Sequence, residues 1–72
     1  MARIEYSEQD LAAIAAAYDE YAAGQDREAD RLAALGYEDA AGIWRRGAEG
    51  SREIADAARE GSDRLNEVTN DD

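Results

Sequence analysis

The longest hydrophobic pattern in the chain runs from Ile43 to Val68. At about 100° per residue, its small and apolar side chains fall on one face of a helix. This face consists of Ile43, Gly47, Gly50, Ile54, Ala57, Ala58, Gly61, Leu65 and Val68. The pattern therefore predicts a helix over 43–68, whose thin apolar face must receive large side chains from elsewhere.

The opposite face of this predicted helix is acidic. Its carboxylates recur at steps of three and four residues, and we call them the acidic ridge: Glu49, Glu53, Asp56, Glu60, Asp63 and Glu67. The ridge is bordered by arginines at positions 45, 52 and 59 on one flank and 46 and 64 on the other, which partly neutralise it. Such a pattern is usually a solvated outer face. The alternative is a docking surface for a basic protein, including one that imitates a nucleic-acid backbone.

An earlier segment predicts a second amphipathic helix. Ser7 is placed to cap its first turn, followed by acidic residues that suit the positive end of the helix dipole. A heptad seam follows at Leu11, Ile14, Tyr18, Tyr21, Gln25, Glu28, Leu32 and Leu35, and Ala15, Ala22 and Ala29 beside it allow close helix approach. Gln25 and Glu28 interrupt the seam, and we predict that this polar layer sets register or oligomeric state.

The boundary between the two helices is predicted at Gly36, which suits the left-handed residue that closes a helix. We expect Glu38 or Asp39 to cap the next helix, which would start near Ala40. Two all-α architectures fit: an antiparallel helical hairpin turning at Gly36, or a small bundle of shorter helices broken at Gly24 and at Gly50-Ser51.

The hairpin is preferred because it sets large residues of the first helix against small ones of the second. It places Leu32 opposite Ile43, Glu28 opposite Gly47, Gln25 opposite Gly50, Tyr21 opposite Ile54, Tyr18 opposite Ala57, Ile14 opposite Gly61 and Leu11 opposite Leu65. Two such hairpins could pair into a dimeric four-helix bundle.

The chain of 72 residues is expected to form a single small helical domain, with residues 1–6 as a lead-in and residues 69–72 as a frayed acidic tail. It contains few large apolar side chains, so its own core offers a narrow stability margin. We therefore expect a homo-oligomer or a bound partner.

Composition excludes several functions. The net charge of −10 disfavours nucleic acid and anionic membranes and favours a partner protein with a basic surface. The chain contains no cysteine, histidine or lysine to activate its few hydroxyls, and no loop rich in oxygen ligands. We therefore predict that it is not an enzyme and binds no metal or cofactor. The N-terminus lacks the apolar core of a signal peptide, which predicts a cytoplasmic protein.

Trp44-Arg45-Arg46 combines the only tryptophan with the only adjacent basic pair, residue types that often anchor interfaces. With Gly47, it distantly resembles the WXG family of small type VII secretion substrates, which implies a self-assembling helical module. That family has one residue between Trp and Gly, whereas this chain has two. The family's secretion signal, a tyrosine with an acid four residues later, follows the second helix, whereas here only Tyr6 and Asp10 have that spacing.

These observations lead to two functional hypotheses. The first is a small inhibitor or antitoxin-like regulator, phage-encoded in its most concrete form, that binds a basic protein surface. Its predicted partner-binding residues are Trp44, Arg45, Arg46, Glu49, Glu53, Asp56, Glu60 and Asp63. The second is a structural module whose partner is its own copy.

Overall fold

A computed structural model describes residues 3–69, which form three α-helices and no strand. Helix α1 spans Glu8–Ala34, α2 spans Glu38–Glu60 and α3 spans Ser62–Thr69. Helices α1 and α2 form an antiparallel hairpin, and α3 packs at its open end, which confirms the all-α fold. Helix α1 continues through Gly24 and α2 through Gly50, so the chain does not break at either predicted position. The outermost residues of the predicted lead-in and tail, 1–2 and 70–72, lie outside the described residues.

Both ends of α1 have the caps that the sequence predicts. The Ser7 side chain accepts a hydrogen bond of 3.0 Å from the backbone N–H of Asp10. At the other end, Gly36 has a φ of +92°, and two reverse hydrogen bonds close the helix. They run from the Tyr37 N–H to the Leu32 carbonyl at 2.9 Å and from the Gly36 N–H to the Ala33 carbonyl at 3.0 Å. This is a Schellman motif, which turns the chain back on itself.

Helix α2 begins two residues earlier than predicted. Tyr37 occupies the N-cap position and makes no side-chain capping bond. Glu38 and Asp39 are therefore not caps. They lie in the first turn of α2, where their negative charges interact favourably with the positive end of the helix dipole.

Alanines form the centre of the interface between α1 and α2. They recur every seven residues on both helices and are at most 5% exposed: Ala15, Ala22 and Ala29 on α1, and Ala41, Ala48 and Ala55 on α2. Side chains of this size let two helix backbones approach closely, and larger residues are displaced to the flanks. The face of α2 that packs on α1 is therefore rotated relative to the predicted face. The prediction placed Ile43 at the interface, whereas Ile43 is 61% exposed.

The predicted helix over 43–68 is also interrupted. Gly61 ends α2 with a φ of +125°, and α3 starts at the next residue. The break turns α3 so that Leu65 packs in a cluster with Ala15, Ala57 and Ala58. A Cβ atom at Gly61 would meet nothing within 4 Å, so Gly61 does not face Ile14 as the continuous helix required.

The extended segment before α1 is tied to α3 by side-chain hydrogen bonds. The Asn66 amide accepts from the Ile4 N–H at 3.0 Å and donates to the Ile4 carbonyl at 2.8 Å. The Ser62 hydroxyl lies 3.0 Å from the Tyr6 N–H nitrogen and 3.3 Å from its carbonyl oxygen. Asn66 and Ser62 of α3 thus supply the backbone of the N-terminal segment with the hydrogen bonds that a neighbouring strand would provide.

Candidate interaction surfaces

The two long edges of the hairpin differ in chemistry. One edge is a seam of ion pairs between aspartates of α1 and arginines of α2: Asp19 with Arg59, Asp26 with Arg52, and Asp30 with Arg45. Arg45, Arg52 and Arg59 recur every seven residues, which places all three on this edge of α2. Because these arginines point toward α1, they do not simply border the acidic ridge as the sequence pattern suggested.

The acidic ridge is divided between two helices. Its α2 part consists of Glu49, Glu53, Asp56 and Glu60, all exposed on the outer side of the hairpin. Asp56 pairs with Arg59 at 3.2 Å, but within residues 3–69 no ion pair involves Glu49, Glu53 or Glu60. The ridge is therefore less neutralised along α2 than its flanking arginines imply.

The α3 part of the ridge has partners. Asp63 accepts a hydrogen bond of 2.8 Å from Arg3, and Glu67 pairs with Arg64 at 3.0 Å. Since α3 starts after the break at Gly61, these carboxylates do not continue the line of the α2 part. Asp63, predicted to bind a partner, thus also links α3 to the N-terminal segment.

The Trp44-Arg45-Arg46 group divides among three environments. Trp44 is 39% exposed, and no group within residues 3–69 accepts a hydrogen bond from its indole N–H. Arg45 reaches Asp30 at 3.6 Å. Arg46 is exposed and folds back over Gly42, where a Cβ atom would lie 3.8 Å from its guanidinium. The three residues therefore do not form one patch.

Of the two residues in the predicted polar layer, only Gln25 bonds to α2. Gln25 crosses the interface: its Oε1 lies 2.7 Å from the Ser51 hydroxyl, and its Nε2 lies where a Cβ atom of residue 47 would be, at 2.6 Å. Glu28 instead pairs with Arg31 on its own helix at 2.6 Å. That hydrogen bond holds the pKa of the Glu28 carboxyl below its ordinary value of 4.5 and raises the pKa of Arg31.

Sequence reasoning missed the exposed groove on the other edge of the hairpin. Trp44 of α2 lines it together with six α1 residues: Ala17, Glu20, Tyr21, Gly24, Gln25 and Arg27. Tyr21 was assigned to the buried seam, yet 59% of its surface is exposed. The signal was present in the sequence, because the heptad of α1 interface alanines leaves Tyr21 one position before Ala22, on the flank.

Residues 3–69 contain neither a cluster of possible metal ligands nor a candidate membrane-spanning helix. Across residues 3–69, no group of three or more acidic side chains converges as a metal site. No helix in the same range is long and apolar enough to cross a membrane. Asp26 and Asp30, an i,i+4 carboxylate pair, are each bonded to an arginine of α2.

Comparison with known proteins adds no relative. No protein-family model, curated protein or solved structure matches the chain.

Proposed function

We propose that this protein is a non-enzymatic helical module that docks on a basic surface of another protein through the α2 part of the acidic ridge. The observation that carries the proposal is the direction of the α2 arginines. Arg52 and Arg59 bind aspartates of α1, which leaves Glu49, Glu53 and Glu60 exposed and without ion pairs along one side of a rigid helix. Such carboxylates attract a cationic surface during encounter and favour a partner whose charges match their positions.

The position of this surface supports a role in recognition. Glu49, Glu53 and Glu60 lie on a helix that is anchored by the alanine interface, so docking requires no reordering of the backbone. Arg46 lies on the same outer side, seven residues before Glu53, and gives the surface a cationic end that would orient a partner. A small cytoplasmic inhibitor or antitoxin-like regulator, phage-encoded in its most specific form, is the class of protein that this chemistry fits best.

The test uses two triple variants that make the same change in net charge. Glu49, Glu53 and Glu60 are replaced by glutamine in the first variant, and Glu5, Glu8 and Glu38, which are exposed elsewhere, are replaced in the second. Each protein is used as bait in extracts of producing cells, and retained proteins are identified by mass spectrometry at low and high salt. We expect a basic partner that the parent and the second variant retain at low salt and the first variant loses.

Two results would contradict this function. Equal retention by both triple variants would show that overall charge, and not this surface, drives capture. Retention that persists at high salt would show that carboxylates do not dominate the contact. Circular dichroism of both variants should show unchanged helicity, since glutamine is a good helix former.

Self-association is a second candidate function, favoured by a different observation. Tyr21 and Trp44 are exposed aromatic residues on the same groove, whereas among the residues described only Leu65 is a large side chain that is fully buried. An apolar surface of this kind on a chain with so small a core is typical of a protein whose partner completes the core.

A further inference from the structure

The groove beside Trp44 lies on the outer side of α1, away from the ion-pair seam. Its floor is made of small residues, Ala17 and Gly24, and Tyr21 and Trp44 stand at its apolar side. At Gly24, an added Cβ atom would meet only the Arg27 guanidinium, at 3.7 Å. Another helix could therefore approach the α1 backbone closely at this point.

Two opposite charges border the groove and have no partner within the described chain. Glu20 and Arg27 both line it, and neither forms an ion pair there. They are seven residues apart on one side of α1, which separates them by about 10 Å along the axis. They therefore do not neutralise each other within one chain, and a partner must supply the complementary charges in the reverse order.

A second copy of α1, running antiparallel, supplies that order. If a two-fold axis passes beside Gly24, midway between positions 20 and 27, Glu20 lies against Arg27 of the partner subunit, and Arg27 lies against Glu20 of the partner subunit. The same axis places the two Gly24 residues at the point of closest approach. The absence of a side chain at Gly24 lets the two backbones come close together there. Isologous pairing of this kind requires one self-complementary surface, and this groove is self-complementary in both charge and shape.

The shape and charge of the whole molecule also favour a second copy. The molecule measures 14 Å along its shortest axis, and within the described residues Leu65 alone is a large, fully buried side chain, so a single copy has a small core. At a net charge of −10, two copies repel each other except through a surface whose charges balance. The groove balances, since Glu20 offsets Arg27 and the neighbouring Glu28 is paired with Arg31.

We infer that two copies of this chain associate through α1, antiparallel about a two-fold axis beside Gly24, to form a dimer in which the two hairpins contribute four long helices. The inference provides the interface for self-association and does not depend on the acidic ridge, which lies on the outer side of α2. The dimer leaves the ridges of both copies free, so the two proposals can fail separately.

Charge reversal at the two groove residues tests the pairing. Sedimentation equilibrium should show that Glu20→Arg and Arg27→Glu each raise the dimer dissociation constant about tenfold, because each variant turns two attractive pairs into two repulsive ones. The double variant, Glu20→Arg with Arg27→Glu, restores both pairs in reversed order and should return the dissociation constant to the parent value.

The single variants also separate local pairing from overall charge. Glu20→Arg lowers the net negative charge, so general repulsion alone would make its dimer tighter than the parent's. Arg27→Glu increases the net negative charge and would make it weaker. Local pairing instead predicts that both dimers are weaker. A parent that stays monomeric at millimolar concentration, or a double variant that is not restored, would overturn the inference.

A cysteine at the axis tests the register, since the chain has no cysteine of its own. Gly24→Cys should form a covalent dimer under mild oxidation, because a disulfide needs Cα atoms within about 7 Å. Gly50→Cys is the matched control: Gly50 also lies within a helix with open space around its Cβ position, but on α2 away from the groove. Equal crosslinking of the two variants would place the axis elsewhere and contradict the proposed pairing.

Discussion

Gln25 shows how one polar side chain registers two helices in this protein. Its amide fills the space that Gly47 leaves empty, and its Oε1 lies 2.7 Å from the hydroxyl of Ser51, which is itself buried. Ser51 has a second acceptor on its own helix, the Gly47 carbonyl at 3.1 Å. A shift of one helix past the other would leave the buried hydroxyl and the glutamine amide mismatched, which is costly in a closely packed interface.

The Gly47 position leads to a stability prediction with an internal control. Gly50→Ala should raise the free energy of unfolding by about 1 kcal/mol, because alanine is the better helix former and the new Cβ atom meets nothing within 4 Å. Gly47→Ala should raise the free energy of unfolding by about 1 kcal/mol less than Gly50→Ala does, because its Cβ atom displaces the Gln25 amide from Ser51. Urea unfolding measures both changes.

Combining Gly47→Ala with Gln25→Ala tests the physical reason for this difference. Once the glutamine is absent, Gly47→Ala should gain as much stability as Gly50→Ala does. If Gly47→Ala and Gly50→Ala stabilise the otherwise unchanged protein equally, the Gln25 contact does not contribute to stability.

At the scale of elements, two Gly-Ser pairs in the same stretch of sequence have opposite roles. Gly50-Ser51 lies inside α2, whereas Gly61-Ser62 separates α2 from α3. The local sequence does not distinguish them: the alternative bundle placed a break at Gly50-Ser51, whereas the chain breaks at Gly61-Ser62. Their partners decide: Ser51 faces Gln25 across the alanine interface, and Ser62 faces the backbone of Tyr6.

The conformation of Gly61 predicts the effect of substitutions at the α2–α3 junction. Its φ of +125° and ψ of 176° lie in a region that only glycine adopts readily. Gly61→Ala should therefore lower the free energy of unfolding by about 1–3 kcal/mol. Gly61→Leu should cost the same within error, because the space around the Cβ position is open. Thermal unfolding of both variants checks this.

The comparison of alanine with leucine separates two physical explanations. Overpacking against Ile14, which a continuous helix over 43–68 would require, makes leucine much more destabilising than alanine. A backbone origin makes the two equal. A leucine variant markedly less stable than the alanine variant would therefore contradict the open junction.

At the scale of the whole molecule, the N-terminal segment and α3 close the chain on itself. Ser62 and Asn66 are four residues apart on a helix, which separates them by about 6 Å along its axis. Ile4 and Tyr6 are two residues apart on an extended chain, a span of about 6–7 Å. The two spacings match, so one helix face can bond alternate residues of the extended segment and hold it over the open end of the hairpin.

Removing the Asn66 amide should release this segment. In Asn66→Ala, the Ile4 amide should exchange its hydrogen more than about tenfold faster, since both hydrogen bonds to its backbone are lost, a change worth about 1–2 kcal/mol. Tyr6 should respond less because Ser62 still holds it. Hydrogen exchange followed by NMR measures both amides.

Thr69→Ala is the matched control for this experiment. The Thr69 hydroxyl donates to the Leu65 carbonyl within α3 and forms no hydrogen bond with residues 3–6. Its loss should leave exchange at Ile4 unchanged. If Asn66→Ala has no more effect on Ile4 than Thr69→Ala has, the N-terminal segment is held by contacts other than these hydrogen bonds.

Much of the fold could be predicted from local patterns. The helical periodicity, the Ser7 cap and the left-handed Gly36 indicated two helices and a turn, and the hairpin has the predicted antiparallel order. These features depend on a few neighbouring residues, whose propensities and backbone geometry act over single turns. Matching large residues with small ones set Gln25 opposite Gly50, whereas its amide contacts Gly47, one helical turn earlier.

The tertiary structure decided which faces meet and which charges remain free. Periodicity defines stripes on a helix, but the choice among neighbouring stripes depends on how closely two backbones can approach. The alanines at heptad spacing form the interface between α1 and α2. As a result Ile43 faces outward, and Arg52 and Arg59 reach aspartates of α1. That choice also leaves the groove at Gly24 open and leaves Glu49, Glu53 and Glu60 without ion pairs within residues 3–69.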